Sequence, residues 1–186
     1  MDDISEKCLD LFSDWLENLD RDVETIIEAL QVNVLDDEIR QCLVASVNYL
    51  FKSLDLIPDG IDDIGYLDDA FILRLSAREA LERDTGQLPE TSREKLGRLA
   101  EDIEIIAEFL GTGIYTRLHR YALALTKGAA RGRTVLEIIE DGNVFATFVS
   151  EAQAFAESYT APGFTKDEKN LIKLKAFFDA KLPKAD

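Results

Sequence analysis

Apolar residues return along this chain every three or four positions, the spacing that puts them on one face of a helix. Ile4, Cys8, Leu11, Phe12, Trp15, Leu16 and Leu19 form a first such stripe. Val23, Ile26, Ile27 and Leu30 form a second, and Leu43, Val44, Val47, Leu50 and Phe51 a third, with Asp36 or Asp37 as its cap. Pro58, Gly60 and Gly65 break the period over 54–66, and a fourth helix is predicted from about 67 to 84. Pro89 marks a further short break.

Helix starts are signalled by three Thr-x-x-Glu pairs, Thr91 with Glu94, Thr134 with Glu137 and Thr165 with Glu168. In such a box each side chain satisfies an orphan amide of the first helical turn. Gly111, Gly113, Gly128, Gly132, Gly142 and Gly163 fall between the periodic segments, where helices stop. No alternating run of β-branched residues competes with this pattern. The expectation is an all-α compact bundle of about eight or nine helices in a single domain, 1–186, with a weak subdivision near 85–91.

The segment that interrupts the pattern reads "LDLIPDGIDDIGYLDD", residues 54–69, with six aspartates in sixteen positions and no cation. Pro58 ends the third helix and pushes Ile57 to an extended conformation. Asp68 and Asp69 fall in the first turn of the next helix, where the macrodipole favours negative charge. Asp55 and Asp59 are suited to capping or to Asx-turns around Pro58. A structural turn is the leading reading. The second is a metal site, because closely packed carboxylates repel and a hard divalent cation relieves them. Its ligands would be Asp55, Asp59, Asp68 and Asp69, and oxygen-only donors select Mg²⁺, Mn²⁺ or Ca²⁺. Catalytic carboxylates come third. The spacing is neither that of an EF-hand loop nor a DDxxD motif, since Tyr66 stands where the third Asp would be.

Residues 49–73, "YLFKSLDLIPDGIDDIGYLDDAFIL", resemble the signature of the YkvA-like domain of unknown function. Tyr49, Asp55, Leu56, Ile57, Pro58, Asp59, Gly65, Leu67, Asp68 and Asp69 fall on its pattern, and Asp62 and Asp63 depart from it. The resemblance covers about residues 45–82 and implies a helix–turn–helix hairpin, with Tyr49, Pro58, Gly65 and Leu67 as motif residues and no established activity. Many members of that family are more hydrophobic on both flanks and are thought to be membrane-associated. Here Arg74, Arg78, Glu79 and Glu82 predict an amphipathic helix after the turn.

Charge narrows the choice of partner. A formal net charge of -16, from 37 acids against 21 Lys and Arg, repels nucleic acid and anionic membranes. A protein partner or self-association is therefore expected and no nucleic acid, with peripheral membrane contact a weaker alternative. The apolar runs are too short for a transmembrane segment, and the acidic start "MDDISEKCLD" is unlike a signal peptide. Cys8 and Cys42 lie among apolar residues and read as buried thiols. A cytoplasmic protein is expected.

Between Phe109 and Val135 no acid occurs, while Arg117, Arg120, Arg131 and Arg133 accumulate with Lys127 and His119. These arginines are a candidate anion site; the favoured reading is that they pair internally, for example with the aspartate-rich turn. "GAARGRT", residues 128–134, lacks the lysine and the preceding strand of a P-loop. His119 is the sole histidine, so paired-histidine chemistry is excluded. Phe145, Phe148, Phe155 and Tyr159 read as core, and Phe177 and Phe178 as the anchor of the last helix. The reading reached is a non-catalytic interaction or scaffold module without cofactor. The alternative is a divalent-metal-binding protein or metal-dependent hydrolase that uses the aspartate-rich turn.

Overall fold

The structure is a computed structural model that describes residues 3–32, 35–52, 55–61, 63–84 and 86–184. Leu54 and Asp62 of the aspartate-rich segment lie outside the described residues. The all-α expectation is met: among the described residues there are ten α-helices, one 3₁₀ turn and two strands of two residues each. The first three helices are α1 (Asp3–Glu17), α2 (Leu19–Leu30) and α3 (Asp37–Tyr49). They are followed by α4 (Leu67–Arg83), α5 (Glu90–Leu99), α6 (Glu104–Leu110) and α7 (Thr112–Ala124). A small antiparallel hairpin, β1 (Ala129–Ala130) and β2 (Arg133–Thr134), leads to α8 (Val135–Glu140), α9 (Gly142–Ser158) and α10 (Glu168–Lys181).

The central element is α4, which packs against α1, α2, α3, α5 and α7. The sequence pattern predicts an amphipathic helix here, and its first half is different. From Leu67 to Ala77 every residue is buried, including Asp68, Asp69 and Arg74. Polar residues reach the surface only in the last turns. The reason is position: a helix surrounded on several sides has no solvent face to pattern. Phe71 is the hub of its aromatic core, 5.0 Å from the ring of Phe12 and stacked at 5.4 Å on Phe178. Phe178 thus anchors α10 as expected, and Phe177 is half-buried beside it. Phe148 is wholly buried, while Phe145, Phe155 and Tyr159 pack half-buried on the core. Both cysteines are buried.

Of the three predicted capping boxes one forms. The Thr134 hydroxyl accepts from the Glu137 amide at 3.1 Å and the Glu137 carboxylate accepts from the Thr134 amide at 2.7 Å. α5 starts one residue before Thr91, with Pro89 at its cap position and no side-chain cap bond. That break is held instead by Asp84, whose Oδ1 accepts from the amides of Gly86, Gln87 and Leu88 and whose Oδ2 accepts from Arg93. At α10 the cap is Asp167, accepting from the Lys169 amide, and Thr165 stays outside the helix. Aspartate caps more strongly than threonine, so where both are in reach the shorter acid takes the amides. The hairpin is the other departure from the sequence reading. Arg131 and Gly132 have φ of 51° and 77°, the paired positive values of a tight two-residue hairpin turn.

Candidate functional site

α3 and α4 form the hairpin that the sequence motif implies, and the aspartate-rich turn joins them. Three short bonds hold its start. The Tyr49 hydroxyl, at the last residue of α3, donates to Asp68 Oδ2 at 2.6 Å and accepts from the Leu56 amide at 2.8 Å. The Ile57 amide donates to the same Asp68 oxygen at 3.0 Å. Ile57 stands before Pro58, a position disfavoured in a helix, and its amide is free to bond Asp68. The far end of the turn coils tightly: Ile61 N donates to Pro58 O and Gly65 N to Ile61 O, each at 2.9 Å. Asp63 and Tyr66 both adopt positive φ, 73° and 67°. A Cβ on Gly65 would lie 2.4 Å from the Asp59 carbonyl oxygen, so only glycine fits.

The aliphatic residues of the turn, Leu56, Ile57 and Ile64, are buried in the core and fasten this loop to the bundle. Asp68 is 0% and Asp69 2% exposed. Asp68 Oδ1, both oxygens of Asp69 and Asp55 Oδ1 are buried without a hydrogen-bond donor. Burial pushes the Asp55 carboxyl up to about 7, and the nearby Asp68 and Asp59 charges push in the same direction. Burial raises Asp68 to about 6, against the pull of its bonds from Tyr49 and the Ile57 amide. Asp69 is raised well above the usual aspartate range, through burial first and then the charges of Asp68, Asp59 and Asp55. Asp59 is raised by burial and held back by a hydrogen bond from Tyr66.

The structure therefore brings Asp55, Asp59, Asp68 and Asp69 into one electrostatic neighbourhood, as a metal reading requires. It does not assemble them as ligands: among the described residues no three His, Cys, Asp or Glu side chains stand as a set that could hold a metal ion. The cause is local. Asp68 Oδ2 is turned toward Tyr49 and Ile57, and Asp59 is drawn to Tyr66. Asp63 reaches out of the turn, accepting from Asn170 of α10 at 3.0 Å.

The four arginines of the candidate anion site are not gathered either. Arg131 and Arg133 both pair with Glu151 and lie over the ring of Phe51. Arg117 pairs with Asp179 and donates to the Leu182 carbonyl. Arg120 has no part in either group. The acids that three of these arginines meet are Glu151 and Asp179.

Two polar sites escape a reading of the sequence. Arg74 is buried, 2.8 Å from Asp22, and its guanidinium lies 4.2 Å over Trp15. The pair floors a cavity of about 360 Å³ between α1, α2 and α5. His119 Nε2 lies 2.6 Å from Glu79, beside Tyr115 and Arg78, in a second cavity of about 350 Å³. Both pairs join residues more than 35 positions apart, so no local spacing announces them.

The fold and the turn together define a helical protein built on an α3–α4 hairpin. Residues 40–75 match the model of a family described as a protein of unknown function, DUF1232. The matched segment runs from α3 through the turn into the middle of α4, the same hairpin that carries the YkvA-like resemblance. Neither a curated protein nor a solved structure matches the chain. Among the described residues no helix is long and apolar enough to cross a membrane.

Proposed function

We propose that this protein is a non-catalytic helical interaction module of the cytoplasm, with the α3–α4 hairpin as its rigid centre. The carrying observation is the direction of the motif's polar groups. Tyr49, one oxygen of Asp68 and the Leu56 and Ile57 amides are consumed by one another, which supports a scaffold role for these signature residues. What is turned outward is acidic surface, with Leu136 53% and Ile172 66% exposed on α8 and α10. Such a surface suits a basic protein partner or a second copy. Chemical cross-linking in the cell, with sedimentation of the pure protein at low and high salt, tests this. A specific adduct that weakens with salt is expected. A monomer with no adduct, whose stability depends on a small ligand, would sink the reading.

A second reading is favoured by the donor-less carboxylate oxygens of Asp55, Asp68 and Asp69. A Mg²⁺, Mn²⁺ or Ca²⁺ ion held by Asp55, Asp59, Asp68 and Asp69 would satisfy them once the turn tightened around it. A cation at about 100 times its dissociation constant stabilises a fold by ~2.7 kcal/mol. Melting curves in EDTA and with each cation in turn should show that gain. Coincident curves would remove the metal reading and leave the module reading untouched.

A further inference from the structure

We infer that the cavity floored by Arg74 and Asp22 is a binding site for a small zwitterion, of the size and chemistry of a free α-amino acid with an aliphatic side chain. The floor carries the first observation. The Arg74 side chain is 5% and that of Asp22 14% exposed. Arg74 Nη1 donates to the Ala70 carbonyl at 3.1 Å and lies 2.8 Å from Asp22, while Nε is buried without an acceptor. A buried ion pair adds little to stability, because desolvation offsets its attraction. At the bottom of a cavity of about 360 Å³ the same pair presents both signs of charge to whatever enters. Water is scarce there, so each contact is stronger than at the surface.

The walls carry the second observation, which is balance. Arg21 of α2 and Lys95 and Arg98 of α5 join Arg74 in lining the cavity with positive charge. Asp14 of α1, with Glu101 and Asp102 after α5, joins Asp22 in lining it with negative charge. Four cations face four acids here, in a chain of 37 acids and 21 Lys and Arg, so a carboxylate repelled elsewhere can approach. A bare anion such as phosphate would still meet four acids, and a bare amine four cations. A molecule with one charge of each sign suits both sets. Its carboxylate has the arginine forks for partners and its ammonium the aspartates. Lys95 is held by Glu28, which leaves Arg21 and Arg98 as the rim cations at hand. Arg98 is only 3.9 Å from Glu94, an exposed pair that contributes little.

Size and apolar lining narrow the class further. The volume lies at the low end of the ~300–1,000 Å³ usual for small-molecule sites, which favours a ligand of few atoms. Leu11 and Leu99 offer aliphatic contact. Trp15 also lines the cavity, but its ring is already engaged by Arg74 at 4.2 Å and by Phe12 and Phe71. A planar base would find no free platform to stack on. The cavity is built by α1, α2, α4 and α5, whereas Leu136 and Ile172 lie on α8 and α10. A ligand here and a protein partner there use different surfaces, and either can fail without the other.

Trp15 is the sole tryptophan, so its emission reports on this cavity alone. The full chain at neutral pH is titrated with free L-leucine, L-isoleucine, L-valine and L-methionine. The same is done with 4-methylpentanoate and 3-methylbutylamine, which keep the leucine skeleton with one charge each, and with inorganic phosphate. Calorimetry on the same solutions covers a ligand that leaves the emission unchanged. At least one amino acid should bind saturably, at least ~10-fold tighter than either one-charge analogue. Arg98→Gln and Asp14→Asn, both at exposed positions, should each weaken it severalfold, while Glu157→Gln on α9 should not. Arg74→Met combined with Asp22→Leu, which strands no buried ion, should abolish it; if that variant does not fold, the rim variants decide. No saturable binding of any of the four amino acids would overturn the proposal. So would a one-charge analogue or phosphate that binds as tightly, or affinity unchanged in both rim variants.

Discussion

Asp68 is the residue on which the hairpin turns, and it works through a single oxygen. Oδ2 takes bonds from Tyr49 and from the Ile57 amide, tying the end of α3, the residue before Pro58 and the start of α4 to one atom. Tyr49→Phe removes the hydroxyl that both donates to Asp68 and accepts from Leu56. It leaves a buried carboxylate and a buried amide short of a partner, each worth about 1–3 kcal/mol. Equilibrium unfolding should therefore show Tyr49→Phe destabilised by at least ~2 kcal/mol, far more than a surface Tyr→Phe change. Sequence alone placed Tyr49, Pro58, Gly65, Asp68 and Asp69 in one motif. It left open where the carboxylates point, because that depends on Tyr49 crossing from another helix.

At the scale of elements, α4 is informative because pattern and environment disagree. Its polar residues read as an exposed face, yet Arg74 is buried with Asp22 of α2 and stacks over Trp15 of α1. Burial raises the Asp22 carboxyl and lowers the Arg74 guanidinium, so both ions are held in place against their desolvation. Removing one partner strands the other. Asp22→Ala should cost about 3–5 kcal/mol, while replacing both, as Asp22→Leu with Arg74→Met, should cost much less. A cycle of Asp22→Leu, Arg74→Met and the double variant by denaturant unfolding measures the difference; a double-variant loss equal to the sum of the two single losses would mean that the pair is not coupled. Periodicity found the helices because their apolar stripes are local. It missed this ion pair because residues 22 and 74 are brought together only by packing. The caps fall between these cases, since Thr134 works as read, Asp167 takes the role expected of Thr165, and α5 follows Pro89 without a side-chain cap.

Over the whole molecule, charge is separated by depth. The surface carries the acidic excess behind the net charge of -16, and its cations are largely occupied, Arg83 by Glu38 and Glu79, Lys95 by Glu28, Lys166 by Asp10. Inside, Asp55, Asp68 and Asp69 make a second acidic region, where burial raises all three carboxyls. The core that unites them is continuous from Cys8 to Leu182, with the aromatic group of Phe12, Phe71 and Phe178 at its middle.

That aromatic group sets a timetable for the nascent chain. Phe71 and the ring that covers it, Phe178, are separated by 107 positions, and ribosomes add about 5–20 residues each second. The centre of α4 is thus synthesised ~5–20 s before α10 can cover it. Over the same interval Tyr159 has yet to bond the Leu16 carbonyl and Lys166 to reach Asp10. The bonds that join α3, the turn and α4 are all made by residues up to Asp68, already synthesised by then. The Phe71 face of α4 is then an exposed apolar surface, open to any chaperone that binds emerging chains.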